Sequence, residues 1–207
     1  MAVITISREY ASGGKIFAEK LAENLGYSVL EKELVAQLAE NLNISQSEAT
    51  LIEKESGSKL LRFLDKYTSH TVKKVVNRSY GRLDDRSYYE ATTKLVLQVA
   101  SAGNVIILGW GGQCILDSHP KTFHLRLVKD IKDRAAFVKS DHPNLDDRAV
   151  QELIDREDKE KAAYIEHYFS RSVNDPHLYH MILNLSRISA QEGLDIVSNY
   201  VTNILIP

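Results

Sequence analysis

Cysteine and proline are scarce in this sequence. It contains a single cysteine, Cys114, and four prolines among its 207 residues. One cysteine excludes an internal disulfide framework and any metal site built from several thiolates. The balance of 43% hydrophobic and 26% charged residues is instead that of a chain that buries its own core without cross-links. The length and composition together predict a single domain.

Long apolar runs and an excess of one charge are also missing. No run approaches the roughly 20 residues that span a bilayer, so no membrane partner is expected. The segment Met1 to Ser7 lacks the basic start and apolar core of a secretory signal, and a cytoplasmic location is expected. The net charge of −2 argues against a nucleic-acid partner. The seven histidines show no ligand spacing, and no metal site is predicted from them.

The hydrophobic pattern predicts an α/β fold, in which helices flank a parallel sheet. Strands are predicted over residues 2–6, 104–108, 122–128 and 181–185, with a further short strand at 27–30. Helices are predicted over residues 15–25, 130–139 and 146–169, and from a capping box at 189–192 to about 204. The pattern in region 31–102 predicts mostly helix, with a second capping box at 45–48. We interpret this region as a helical insertion between strands of the sheet, or a substrate-side subdomain.

A glycine-containing loop joins the first predicted strand to the first helix. Ser12-Gly13-Gly14-Lys15 opens this helix, where backbone N–H groups and a lysine are placed to hold phosphate. The alternative is an ordinary turn in which Lys15 is a surface charge. The strict motif G-x-x-x-x-G-K-[ST] is absent, and no alignment of the loop supplies the hydroxyl that normally binds Mg²⁺.

The loop and its surroundings carry a family resemblance. Residues 4–15, Ile-Thr-Ile-Ser-Arg-Glu-Tyr-Ala-Ser-Gly-Gly-Lys, resemble the opening of the cytidylate kinase-like family, which typically reads I-S-R-E-[YF]-G-S-G-G-[RK]. The likeness continues at residues 21–27, 105–111, 117–120, 161–164 and 182–189. It implies a P-loop fold like that of nucleoside monophosphate kinases, as one domain over residues 1–207. The acceptor side would be the helical region 31–102, and a lid would cover about 140–170.

The resemblance also assigns candidate site residues. ATP would be bound by Ser12, Gly13, Gly14, Lys15 and Arg134, and the catalytic cations would be Lys15, Lys159 and Lys161. The acceptor would be bound by Arg86, Trp110, Arg156 and Asp158. Relatives carry arginine where this chain has Trp110, which either stacks on a ring or packs in the cleft wall. The charged lid helix has its own alternative, a solvated face held by ion pairs.

These features predict an ATP-dependent phosphotransferase that acts on a nucleoside monophosphate or another small acceptor, with ATP and Mg²⁺ as expected cofactors. The alternative is a catalytically inactive, nucleotide-binding regulatory protein. The missing loop hydroxyl, the absence of a carboxylate after Leu108 and the presence of Trp110 favour it. A third hypothesis is an interaction module that binds no nucleotide. The helical block from Lys59 to Ala102 has enough apolar positions for a homodimer interface, although core packing explains them equally well.

Overall fold

The computed structural model describes residues 2–31 and 85–205. Residues 32–84, with most of the predicted acceptor-side region and the capping box at 45–48, lie outside the described residues. The described part contains a five-stranded sheet in the order β2-β3-β1-β4-β5, in which every neighbouring pair is parallel. Helices lie on both faces of this sheet, and the predicted α/β fold class is confirmed. The strands are β1 (Val3–Arg8), β2 (Ser28–Leu30), β3 (Val105–Leu108), β4 (Thr122–Val128) and β5 (Met181–Asn184).

The helices predicted within the described residues are present in the predicted order, and the short helix α3 (Gly112–Ile115) was not predicted. Gly26 ends the first helix in a left-handed conformation (φ 66°). Ser189 and Glu192 form both halves of the predicted capping box. The helices are α1 (Gly14–Leu25), α2 (Asp85–Ala102), α3 (Gly112–Ile115), α4 (Ile131–Asp141), α5 (Asp147–Phe169) and α6 (Ala190–Tyr200), with short helical turns at Pro176–Leu178 and Val201–Leu205.

Strand β1 is longer than its apolar run. The hydrophobic pattern ends at Ile6, but the strand continues to Arg8 because Ser7 and Arg8 pair with Arg126 and Leu127 of β4. The strand therefore delivers two polar residues to the carboxyl edge of the sheet. Ligands of open α/β sheets bind at this edge.

The two faces of strands β1 and β4 differ in character. On one, which we call the apolar face, α1 and α6 cover a cluster that includes Ile4, Ile6, Phe123, Leu125 and Leu127. On the other, which we call the polar face, the same strands present Thr5, Ser7, Thr122, His124 and Arg126, all of them buried. The neighbouring strand β3 is apolar on this side, where Val105 and Ile107 pack against α2.

None of the helices within residues 2–31 and 85–205 combines the length and the hydrophobicity that a membrane crossing requires.

Candidate functional site

The loop between β1 and α1 is a compact turn. The Ser12 hydroxyl donates to the Glu9 carbonyl oxygen at 2.9 Å, and the Ser12 side chain is buried. Gly13 has φ 83° and Ala11 has φ 59°. Ala11 stands where the family that this loop resembles typically has glycine. Its backbone is in the left-handed conformation, which glycine adopts more easily than alanine. The loop lines a cavity of about 420 Å³, which we call the loop cavity.

Arg8 connects this loop to the end of β3. A Cβ atom on Gly14 would lie 2.9 Å from the Cβ and Cγ atoms of Arg8, and one on Gly109 would lie 2.7 Å from Arg8 Nη1. The absence of a side chain at both glycines therefore makes room for the arginine. Arg8 was not among the predicted site residues, although it takes the position of the first glycine when the strict phosphate-loop motif is aligned from the end of the strand; aligned on Gly14 and Lys15, that position falls on Glu9.

A second cavity of about 340 Å³, which we call the second cavity, lies on the other side of Arg8. Arg8 and Lys161 line both cavities, which therefore adjoin at two basic residues. The second cavity is also lined by residues from the ends of β1 and β3, from α3 and α5, and by Val173, and these include Ser7, Trp110, Glu157 and Glu160.

Lys161 sits at the junction of the cavities, with its ammonium 5.1 Å from the centre of the Tyr10 ring. Burial and the nearby charge of Arg8 lower the pKa of Lys161 to about 8, against the opposite effect of Asp158 and Glu157. The lysine is therefore mostly protonated at neutral pH and loses its charge in mildly alkaline solution.

Arg134 and Asp158 bind each other. The guanidinium donates to Asp158 Oδ2 from Nη1 at 2.7 Å and from Nη2 at 2.6 Å, and it lies 3.4 Å from Glu9 Oε2. Asp158 also accepts from the Tyr10 backbone N–H at 2.8 Å. Both residues thus fix α4 and α5 to the loop, and a direct contact with nucleotide stays a prediction.

Lys15 lines the loop cavity and is paired. Its Nζ atom lies 2.8 Å from Glu31 Oε1, and its side chain is 56% exposed. A phosphate in the cavity would compete with this carboxylate for the ammonium group. The pair is partly solvated, so this competition costs little.

Trp110 packs with the core. Its side chain is 8% exposed and belongs to the buried cluster of α2 and β3, and its carbonyl oxygen accepts from Tyr164 Oη at 3.4 Å. The indole Nε1 has no hydrogen-bond partner among the described residues. These contacts are the ones expected if Trp110 packs in the cleft wall. Stacking of the indole on an acceptor ring stays a prediction.

Besides Arg134 and Asp158, three predicted site residues line neither cavity. Arg86 and Arg156 are 88% and 62% exposed, and they pair with Glu90 and Glu157. Lys159 is exposed on α5 and lines neither cavity. Their assignment to binding and catalysis stays a prediction.

The loop side chains do not fit a directly bound Mg²⁺. The Ser12 hydroxyl is turned to Glu9, and Ile16, which follows Lys15, carries no oxygen. The Glu9 carboxylate accepts from the Lys129 backbone N–H at 2.9 Å and lies 3.4 Å from Arg134 Nη1. Within the described ranges, no group of three or more histidine, cysteine, aspartate or glutamate side chains is placed to hold a metal ion.

Solved structures share this fold. An uncharacterized protein from Eubacterium ventriosum matches over 98% of this chain and 99% of its own, with 16% identity and a TM-score of 0.71. A shikimate kinase from Acinetobacter baumannii in complex with shikimate covers 100% of this chain and 96% of its own, with 11% identity and a TM-score of 0.49. The second likeness is too weak to add to the fold assignment.

Among curated protein sequences, none matches this chain. Residues 3–187 match the cytidylate kinase-like family, and this range contains the loop, both cavities and the helix α5. The match extends over most of the 207 residues. The chain therefore belongs to the cytidylate kinase-like family.

Proposed function

We propose that this protein transfers the γ-phosphate of ATP to a nucleoside monophosphate or another small acceptor. Family membership supports a nucleotide-kinase-like phosphotransferase. The observation that carries the proposal is the pair of cavities that adjoin at Arg8 and Lys161. Phosphoryl transfer needs little covalent chemistry from a protein, mainly two aligned substrates and positive charge between them.

The loop cavity is the proposed ATP site. The first-turn N–H groups of α1 have no acceptor within the helix, and they point toward the loop, where an anion is favoured. Lys15 would exchange Glu31 for a phosphate oxygen. Ser12 acts by shaping the turn, since its hydroxyl is bonded to Glu9.

The junction of the cavities is the proposed site of transfer. Arg8 and Lys161 would neutralise charge on the transferring phosphoryl group. Asp158 holds α5 against the loop through the Tyr10 N–H, so α5 carries Lys161 into position and serves as the lid. The expected cofactor Mg²⁺ would have to be held by nucleotide phosphates and water, because the loop side chains do not fit it.

The alternative function, a nucleotide-binding regulatory protein without activity, is supported by two observations. The Ser12 hydroxyl and the Glu9 carboxylate of the loop are already bonded within the protein, and Lys15 is already paired with Glu31. This alternative requires ATP binding without transfer to any acceptor.

Calorimetric titration with ATP, with and without Mg²⁺, tests both functions. We expect binding in the micromolar range that Lys15→Ala weakens strongly and that Lys20→Ala leaves unchanged, because Lys20 is an exposed lysine of the same helix. Full ATP affinity in Lys15→Ala would contradict the assignment of that residue. No heat at millimolar ATP would reject both nucleotide-dependent functions.

An acceptor screen separates the kinase from the regulator. ADP release is measured over a panel of small acceptors, beginning with CMP, under the conditions of the titration. Acceptor-dependent ADP release supports the kinase, whereas ATP binding without turnover over the whole panel supports the regulatory protein.

A further inference from the structure

The polar face contains a buried arginine whose hydrogen-bond partners are neutral. Arg126 is 6% exposed, and its Nη1 donates to Ser7 Oγ at 3.0 Å while Nη2 donates to Asn174 Oδ1 at 2.8 Å. Its guanidinium carbon lies 5.7 Å from the centre of the Tyr179 ring. Over residues 2–31 and 85–205, the side chains that contact this guanidinium include no carboxylate.

Arg134 provides a comparison at the same depth. Its side chain is 5% exposed, but it is paired with the carboxylates of Asp158 and Glu9. An arginine keeps its charge in proteins, and a buried charge is costly unless an opposite charge accompanies it. Arg126 therefore has an unmet requirement for an anion that Arg134 does not have.

Ser7 connects Arg126 to the second cavity. The serine lines this cavity, and its oxygen accepts from Arg126. Tyr179 Oη lies 3.3 Å from Ser7 Oγ but donates its single proton to the Val173 carbonyl at 2.7 Å. The hydroxyl hydrogen of Ser7 is thus left with only the long contact to Tyr179. An anion in the cavity would be a stronger acceptor.

We propose that the second cavity contains an anion subsite beside Ser7, in which the Ser7 hydroxyl donates to an anionic oxygen group of the ligand and Arg126 supplies the countercharge. The identification of this ligand as the phosphate acceptor rests on the proposed function. The subsite adds one requirement to the proposed function, namely that the acceptor carries a phosphate or carboxylate of its own.

The positions of the charged residues support separate roles for the two pairs, Arg8 with Lys161 and Ser7 with Arg126. Arg8 and Lys161 lie where the second cavity meets the loop cavity, so they serve the phosphoryl group in transfer. Ser7 is a further polar contact within the second cavity, and it accepts from Arg126. The carboxylates that line this cavity, Glu157 and Glu160, belong to α5 and not to the polar face. A neutral acceptor would leave Arg126 uncompensated, which disfavours it.

Backbone amide NMR spectra of the full chain can test the subsite, with inorganic phosphate and acetate as separate probes. The amides of Ser7 and Val173 report the subsite, and those of Gly13 and Gly14 report the phosphate loop. We expect phosphate to shift the Ser7 and Val173 signals with saturation. Arg126→Met should weaken this response by about tenfold or more and Ser7→Ala by about threefold, in line with charged and neutral hydrogen bonds.

The matched control is Arg148→Met, which removes an arginine that is 88% exposed on α5 and should change nothing at Ser7. A response to phosphate alone indicates a phosphate-bearing acceptor, and a response to both anions indicates that a carboxylate is also accepted. The proposal is overturned if neither anion shifts Ser7 and Val173, or if Ser7→Ala and Arg126→Met retain full affinity. Ser7→Ala keeps the test decisive should Arg126→Met fail to fold.

An ATP titration of the same samples separates the two proposals. If ATP leaves Gly13 and Gly14 unmoved while phosphate still shifts Ser7, the proposed function fails and the anion subsite stands. If ATP shifts the loop signals and no anion reaches Ser7, the subsite fails and the proposed function stands.

Discussion

The two faces of strands β1 and β4 are buried to a similar extent but by different means. Ile4 and Leu125 on the apolar face are fully buried among aliphatic and aromatic side chains. Thr5, His124 and Arg126 on the polar face are 1%, 3% and 6% exposed, and each makes a hydrogen bond. Burying a polar group stabilises a fold far less than burying an apolar one, even when the group is bonded.

The comparison indicates that the two faces serve different purposes. The apolar face supplies stability, because it holds α1 and α6 against the sheet. The polar face contributes less stability, and it continues at Ser7 into the second cavity. Buried polar networks that border a cavity are candidates for function, whereas apolar clusters are explained by packing.

The largest effect is expected on the apolar face, from Phe123→Ala. This ring is 1% exposed and lies 4.8 Å from the ring of Tyr200. We expect the free energy of unfolding to fall by about 3–5 kcal/mol in urea titrations, through lost burial and the cavity left behind. Ile196→Ala is the control, because this side chain is 44% exposed and should cost less than about 1 kcal/mol. Equal losses in the two variants would contradict the assignment of stability to this face.

The second effect, on the polar face, depends on pH. Burial and the neighbouring His180 lower the pKa of His124 to about 4. The unfolded chain takes up the proton near pH 6.5, whereas the folded protein resists it until about pH 4. The free energy of unfolding therefore falls by about 2–3 kcal/mol between pH 6.5 and 4.5. Above pH 6.5 the contribution of His124 is fully present.

Urea titrations of the wild type and of His124→Gln over this pH range measure that contribution. The difference between the two pH profiles measures the contribution of His124 together with its interaction with His180. Parallel profiles would show that His124 takes up its proton as readily in the folded protein as in the unfolded one.

The fold was largely predictable from the hydrophobic pattern. The strand predicted over residues 122–128 has these bounds in the structure, and the capping box at Ser189 begins α6 as expected. Strong local signals, apolar runs and caps, specify these elements without reference to the rest of the chain.

The polar face was not predictable, because periodicity does not reveal what covers a strand. The alternation of His124, Leu125, Arg126 and Leu127 is typical of a strand with one face in water. In the structure the segment around Asn174 and Tyr179 contacts Arg126 and encloses that side. The role of Arg8 was hidden for a similar reason, since it depends on contacts with Gly14 and Gly109, which are far apart in sequence.

A smaller effect is expected from Thr5→Val. The Thr5 hydroxyl lies 2.8 Å from His124 Nδ1, and valine has the same shape without the oxygen. We expect a loss of about 1–2 kcal/mol, because a buried ring nitrogen loses its partner. The double variant Thr5→Val/His124→Leu should lose less than the two single variants added together, since no polar atom of the pair remains. Strict additivity in urea titrations would show that the two side chains are energetically independent.

The smallest change in stability is expected from Arg126→Met, although this variant has the largest expected effect on anion binding. Methionine fills much of the same volume and removes the buried charge, while Ser7 and Asn174 each lose a donor. These effects oppose one another, so the free energy of unfolding without anions should change by less than about 1 kcal/mol. In phosphate buffer the wild type should gain stability over Arg126→Met, because a ligand that binds only the folded state stabilises it. A large loss of stability in Arg126→Met without anions would instead make the arginine part of the structural core, and the contrast between the two faces would disappear.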